Sequence, residues 1–167
     1  PCLINLLKTQ LFFFLFIMSQ ITRGHGQDNN YNVAYHFSIQ RMDYFHSLSM
    51  ASNHKIGTLS LQLALGHRSL HAKTFFGQFG IQYARYFQFT SFRFGPYGRY
   101  AFSYLAKPYD FLYHRFEIGI ATAYQFGESP FSMQFNAGAS LNAEKQKAST
   151  HSFPDYNLAI GLAYAIH

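Results

Sequence analysis

A chain of 167 residues has room for one domain. Only 12% of it is charged, 20% is aromatic and its mean hydropathy of -0.09 is near neutral, which excludes a helical membrane bundle, since each span needs about 20 mostly apolar residues. The net charge of +6 comes from scattered Lys and Arg without a basic run, so no nucleic-acid partner is expected.

The first 26 residues read as an export signal. Lys8 supplies a positive charge, and Leu11 to Met18 (LFFFLFIM) forms an uninterrupted apolar run. Gly24 and Gly26 then stand with one residue between them, the small-x-small layout that a signal peptidase needs. The expectation is a signal-peptide helix over residues 1–26, cut before Gln27, followed by one domain over 27–167. The apolar run is too short to stay behind as a membrane anchor. The only cysteine, Cys2, precedes that run, whereas an acylated cysteine would follow it. Neither a lipid anchor nor a disulfide framework is therefore expected.

From residue 31 onward apolar and polar residues alternate with period two. Val33, Tyr35, Phe37 and Ile39 oppose Ala34, His36, Ser38 and Gln40. Leu59, Leu61, Leu63 and Leu65 oppose Thr58, Ser60, Gln62 and Ala64. Phe79, Ile81 and Tyr83 oppose Gln78, Gly80, Gln82 and Ala84. Phe92, Phe94, Tyr100 and Phe102 oppose Arg93, Gly95, Arg99 and Ser103. The same split recurs over Ile118 to Phe126, Phe131 to Asn142 and Tyr156 to Ile166. Seven strands of mostly about 10 to 13 residues are legible. Membrane strands need about 9 to 11 residues, and strands of soluble proteins usually have about 5 to 6.

Short turns at Phe89 to Arg93 and Gly127 to Pro130 alternate with longer connections at 67–76, 105–114 and 143–155. This is the pattern of a bacterial barrel with short periplasmic turns and longer outer loops. Such barrels have an even strand count, so 41–54 must hide an eighth, short strand around Ser47 to Ala51. The apolar phase there shifts to even positions (Met42, Tyr44, Leu48, Met50), and a hairpin or a bulge accounts for it equally. The expected fold is all-β: a closed up-and-down antiparallel transmembrane β-barrel of eight strands.

Interior width argues which face meets lipid. An eight-stranded barrel is just wide enough inside for side chains. The Gly, Ala, Ser, Asn and Gln face fits there, whereas the Phe, Tyr, Leu and Ile face is too bulky, which disfavours a soluble lipocalin-like barrel. Arg85 shares the apolar face with Ile81 and Tyr83. It either snorkels to the periplasmic headgroups or is returned inward by a bulge.

The expected lumen holds Arg93, Arg99, Arg115, Glu117, Gln62, Gln82 and Gln134. Buried charges need partners, so the set reads as a polar plug, with an ion path or ligand site as the alternative. His67, His71, His114 and His151 fall in the expected outer loops without a ligand spacing, so neither a metal nor a cofactor is expected. No HExxH, GxSxG or Cys-His arrangement is present. Outer-membrane lipid and lipopolysaccharide are the expected partners, the latter through loop cations such as Lys107 and Lys145, together with other envelope proteins.

The stretches GQFGIQYARYF (77–87), RFEIGIATAYQF (115–126) and PDYNLAIGLAYAIH (154–167) resemble small outer-membrane proteins of Bacteroidetes-type bacteria and, more narrowly, the TraO family of conjugative-transposon proteins. That resemblance covers roughly half the chain. It implies a role in conjugation machinery at the outer membrane and carries no catalytic residue over. The chain departs from the usual aromatic barrel terminus, ending Tyr164-Ala165-Ile166-His167. The functional expectation is a non-enzymatic outer-membrane barrel, structural or part of an envelope assembly. A surface binding barrel acting through its outer loops and a barrel-type enzyme are the alternatives.

Overall fold

The computed structural model describes residues 31–40, 43–54, 57–68, 74–105, 111–146 and 149–166. The expected signal, with Gly24, Gly26 and Gln27, lies outside them. The described residues form strands joined by turns: β1 (Tyr31–Gln40), β2 (Asp43–His54), β3 (Gly57–Arg68), β4 (Thr74–Ala84) and β5 (Phe87–Phe89), then β6 (Phe92–Leu105), β7 (Phe111–Gln125), β8 (Phe131–Gln146) and β9 (Ser149–Ile166). All neighbours pair antiparallel, β1 pairs with β9, and β4 pairs with β6, which closes the sheet.

β4 and β5 are one barrel strand, so the barrel has eight. Ala84 lies opposite Tyr97 and Phe87 opposite Phe94, so no residue is inserted between the two segments. The ladder breaks because of Pro96. Arg85 N donates to Pro96 O at 3.0 Å, but proline has no N–H to return the bond. The backbones also approach closely there: a Cβ on Gly95 would collide with the Arg85 carbonyl oxygen. Without a bulge Arg85 keeps its phase and is exposed on the outer face, with Tyr86 turned inward and half-buried.

The hidden eighth strand is real, but it is not short. β2 has 12 residues, and its pairing of Asp43 with Gln40 makes a tight hairpin with β1. The phase shift is therefore the hairpin. The strand is hard to read because two residues reverse the apolar rule: Phe45 points inward and is 2% exposed, while His46 points outward.

Following paired residues around the barrel gives its stagger. Tyr31 lies opposite Ser52, then Leu59, Tyr83, Gly98, Ile118, Ala139 and Tyr156, and the register of β9 with β1, carried two residues past its last pair Ile39–Leu158, gives that row a stagger of ten residues. Such a stagger tilts the strands. The 10 residues of β1, rising about 3.3 Å each and tilted about 40°, stand about 25 Å tall, the height of an outer-membrane apolar band.

The end holding Tyr31 and Ile166 (proximal) is level, and the opposite (distal) end is oblique. Within the long connections expected at 105–114 and 143–155, the described residues (105, 111–114, 143–146 and 149–155) are strand. β6 and β7 stay paired up to Leu105 and Phe111, and β8 and β9 up to Gln146 and Ser149. β1 stops at Gln40, and its last partner on β9 is Leu158. Among the described residues the first half of β9 therefore pairs with β8 alone. Polar alternation continues through this hairpin, which a sequence reading takes for loop because its apolar face has faded.

Side chains divide as interior width requires. Among the described residues the buried set is dominated by Ala, Ser, Gln and Asn, while 28 large hydrophobics, Ile118 at 73% exposure among them, face outward. Phe87, Phe89, Phe92, Phe126 and Phe131 gather at the proximal end, and Tyr44, Phe102, Phe116 and Tyr156 near the distal rim, all exposed.

Candidate functional site in the barrel lumen

Alternation along β6 and β7 aims Arg99, Arg115 and Glu117 into the upper lumen, where the structure brings them together. Arg115 Nε donates to Glu117 Oε2 at 3.0 Å, and Arg99 Nη1 lies 3.9 Å from the same oxygen. Arg115 is fully buried and Glu117 is 2% exposed. Asn157 donates to Glu117 Oε1 at 2.8 Å, and the Tyr97 hydroxyl donates to the same atom. Arg99 Nη2 donates to Gln78 Oε1 at 3.1 Å. Asp155 brings the cluster to two cations and two carboxylates, since it lies 3.4 Å from Arg115 Nη1. Gln40 Nε2, Gln78 Nε2 and Arg99 Nε meet no protein acceptor, so the cluster contributes a specific arrangement more than net stability.

Arg115 also ends the β1–β9 seam. Ala165 N donates to Pro130 O at 2.8 Å, so the odd residues of β9 turn their backbone groups toward β8 and the even ones toward β1. Tyr156 is the first even residue beyond Leu158, where the described pairing of β9 with β1 ends. Its N–H donates to Asp155 Oδ1 at 2.7 Å, and its carbonyl accepts from Arg115 Nη2 at 3.1 Å. Arg115 Nη1 donates to Gln40 Oε1 at 2.6 Å, which holds the last residue of β1 in the same clasp. The next even residue, Pro154, has no N–H to offer. Side chains and proline thus blunt the edge of β9 beyond its described pairing with β1.

Two glycines make room for Tyr97. Gly119 and Gly138 face each other across β7 and β8, and Tyr97 lies opposite Gly119. A Cβ on Gly138 would meet the Tyr97 hydroxyl, and one on Gly119 the Tyr97 ring. Only a bare backbone row lets the ring lie across it and reach Glu117. The same device recurs at Gly161, where a Cβ would strike the His36 ring. His36 Nε2 lies 3.0 Å from Ser49 Oγ.

The other expected lumen residues sit apart from this cluster. Gln62, Gln82, Arg93 and Gln134 line a polar cavity in the proximal half of the lumen, together with His36 and Tyr86. Gln62 Nε2 donates to Gln82 Oε1 at 3.4 Å, and the Arg93 guanidinium lies 5.6 Å from the centre of the Tyr86 ring. The seven residues read as one plug are therefore two groups. Sequence reading missed Tyr97, Gln78, Gln40, Asn142, Asp155 and Asn157. All but Asp155 share the inward phase of a legible strand, which was the available signal for them.

On the outer face, polar side chains satisfy one another. The Tyr35 hydroxyl lies 2.5 Å from His46 Nδ1, and the Tyr100 hydroxyl 2.7 Å from His114 Nδ1. Thr122 donates to the Phe135 carbonyl at 3.2 Å. Of the histidines weighed as metal ligands, His114 is thus on the outer face, His151 is exposed on β9 and His67 is in β3, while His71 lies outside the described residues. Among the described residues no three His, Cys, Asp or Glu side chains converge on a metal position.

No protein-family model and no curated protein matches this chain. Similar solved structures exist. A major outer membrane protein from Thermus thermophilus aligns at TM-score 0.52 and 10% identity, over 84% of this chain and 100% of that one. Neisserial surface protein A (NspA) aligns at TM-score 0.45 and 11% identity, over 81% and 94%. The N-terminal β-barrel domain of Pseudomonas aeruginosa OprF aligns at TM-score 0.45 and 13% identity, over 83% and 98%. The likeness to the Thermus protein shows a shared fold: the chain is a closed eight-stranded antiparallel β-barrel of the kind seen in outer-membrane proteins.

Proposed function

We propose that this protein is a non-enzymatic barrel of a bacterial outer membrane, with a lumen closed to steady ion flow, serving a structural role or a place in an envelope assembly. The observation that carries this reading is the inverted distribution of side chains, with Leu, Ile, Phe and Tyr outward and Gln, Asn, Ser and charged groups inward. In water that arrangement exposes a continuous apolar surface far beyond the few hundred Å² that soluble monomers tolerate. In lipid it is the stable one. The Tyr35–His46 and Tyr100–His114 pairs support it, because polar groups facing hydrocarbon need internal partners. The cluster around Arg115 and Glu117 supports a closed upper lumen.

A place in conjugative transfer rests on the TraO resemblance of the strand segments alone. The protruding β8–β9 hairpin favours surface binding as the second reading, since it lifts exposed Lys145, Thr150 and His151 above the rest of the rim.

Cell fractionation with heat-modifiable gel migration tests the location. Outer-membrane recovery with a heat shift is expected, and a soluble fraction without one overturns it. Reconstitution in planar bilayers tests closure: no steady conductance is expected, and a stable open channel refutes a closed lumen. Transfer genes beside this one would favour conjugation, and their absence would remove it.

A further inference from the structure

We propose that the proximal half of the lumen binds a small oxyanion, with Arg93 as its charged anchor. The buried arginines of the upper lumen each have carboxylates: Arg99 has Glu117, and Arg115 has Glu117 and Asp155. Arg93 is different. No carboxylate lines its cavity, and among the described residues none stands within ion-pair distance of it. Its neighbour is the Tyr86 ring. A ring face holds a guanidinium in place without consuming any of its N–H donors, which leaves them for a planar, bidentate acceptor.

Backbone geometry puts this pair where it is. Tyr86 sits in the stretch where Pro96 withholds a ladder bond, and Gly95, with no side chain, lets the Arg85–Tyr86 backbone close on β6 beside Arg93. Around them the cavity wall is neutral and rich in donors: the amides of Gln62, Gln82 and Gln134 and the His36 ring. A cation among neutral amides is the composition of an anion site. The cavity opens at the proximal end, since Asn32, Asn53, Thr58, Tyr86 and Arg93 are only half-buried and the first four stand at or near the proximal ends of β1, β2, β3 and the β4–β5 strand. The Arg99–Glu117 cluster occupies the lumen on its distal side. An eight-stranded barrel has room for one small ligand at most, so the class is a phosphate-sized or carboxylate-bearing molecule arriving from the proximal side.

The test uses the full chain, ¹⁵N-labelled and folded in detergent micelles, with heat-modifiable migration verifying the barrel first; a failure of the barrel reading thus shows before any titration. Arginine Nε–Hε resonances are followed while inorganic phosphate, acetate or sodium chloride is added, and Arg93→Lys identifies the Arg93 signal. The expected result is a saturable shift of that signal with phosphate or acetate, and the stronger of the two names the group recognised. Binding should weaken at least tenfold in Arg93→Gln. A non-saturating shift matched by sodium chloride, or affinity unchanged in Arg93→Gln, overturns the proposal. Should Arg93→Gln fail to fold, Arg93→Lys decides through the shifts of backbone amides lining the cavity: weaker saturable binding, as a point charge in place of a fork gives, supports it, and unchanged binding overturns it.

Discussion

Arg115 on β7 donates through Nη2 to the carbonyl of Tyr156 on β9, 3.1 Å away, just beyond the last described pair of β9 with β1, Ile39 and Leu158. One buried guanidinium thereby bonds a backbone carbonyl, pairs with Glu117 and Asp155 and fastens Gln40. Removing it takes a buried cation from Glu117 and Asp155 and a donor from the Tyr156 carbonyl. Arg115→Leu is expected to destabilise the barrel by about 3–5 kcal/mol, the cost of breaking a buried ion pair, measured as a lowered guanidinium midpoint in micelles. A loss below about 1 kcal/mol would mean that water reaches and solvates those carboxylates.

The bare row at Gly119 and Gly138 makes a second claim about the same cluster. Gly138→Ala places a methyl group against the Tyr97 hydroxyl and is expected to cost about 1–3 kcal/mol through overpacking. In a Tyr97→Phe background part of that cost should vanish, because the hydroxyl it strikes is gone. Coupling of about 0.5–3 kcal/mol in the double-mutant cycle is the signature; strict additivity would show that Tyr97 does not lie on the glycine row.

Depth on the outer face can be read with a charge. Ile120, 51% exposed, lies halfway along β7 between Phe116 near the distal rim and Tyr124 at the proximal end. In lipid vesicles Ile120→Arg should cost about 2–4 kcal/mol and Phe126→Arg about 0–1 kcal/mol. For a soluble barrel both changes would fall within about 0.5 kcal/mol. The ratio between the two positions is therefore a thermodynamic test of the membrane reading, independent of fractionation.

The edge of β9 above the clasp is kept from pairing by Pro154 and by Asp155, whose carboxylate takes the Tyr156 N–H. Pro154→Thr returns one N–H to that edge. Stability should change by no more than about 0.5 kcal/mol, since the site is exposed. Self-association through β9 should increase, read as a dimer by light scattering in micelles. A variant that stays monomeric at all protein concentrations would show that the edge is protected by something other than proline.

Much of this architecture was legible, and the failures have physical causes. Seven strands and their faces follow from period-two alternation, because one outward-facing apolar and one lumen-facing small or polar residue per pleat leave a strong chemical contrast. β2 was obscured because its contrast is reversed by Phe45 and His46, each made acceptable by a neighbour the sequence does not display, such as Tyr35 for His46. The distal hairpin was read as loop because, beyond the apolar band, both faces meet water and the contrast disappears while the hydrogen-bond ladder continues. The lumen residues were picked out by phase and charge, yet their division into a charged upper group and an amide-rich lower cavity could not be.

Composition and alternation by themselves determined that this chain closes into a barrel with its apolar face outward, since strand length, small inward residues and even parity leave few other solutions. Tertiary structure alone decided which charges meet. A stagger of ten residues around the barrel sets Arg115 beside Asp155, 40 residues away, and Gln40, 75 residues away, and leaves Arg93 with an aromatic ring in place of a carboxylate. Phase along one strand tells which face a residue takes. Only the register between all eight strands tells which residues share a level, and at the level of the clasp that register brings Arg115 to the carbonyl of Tyr156.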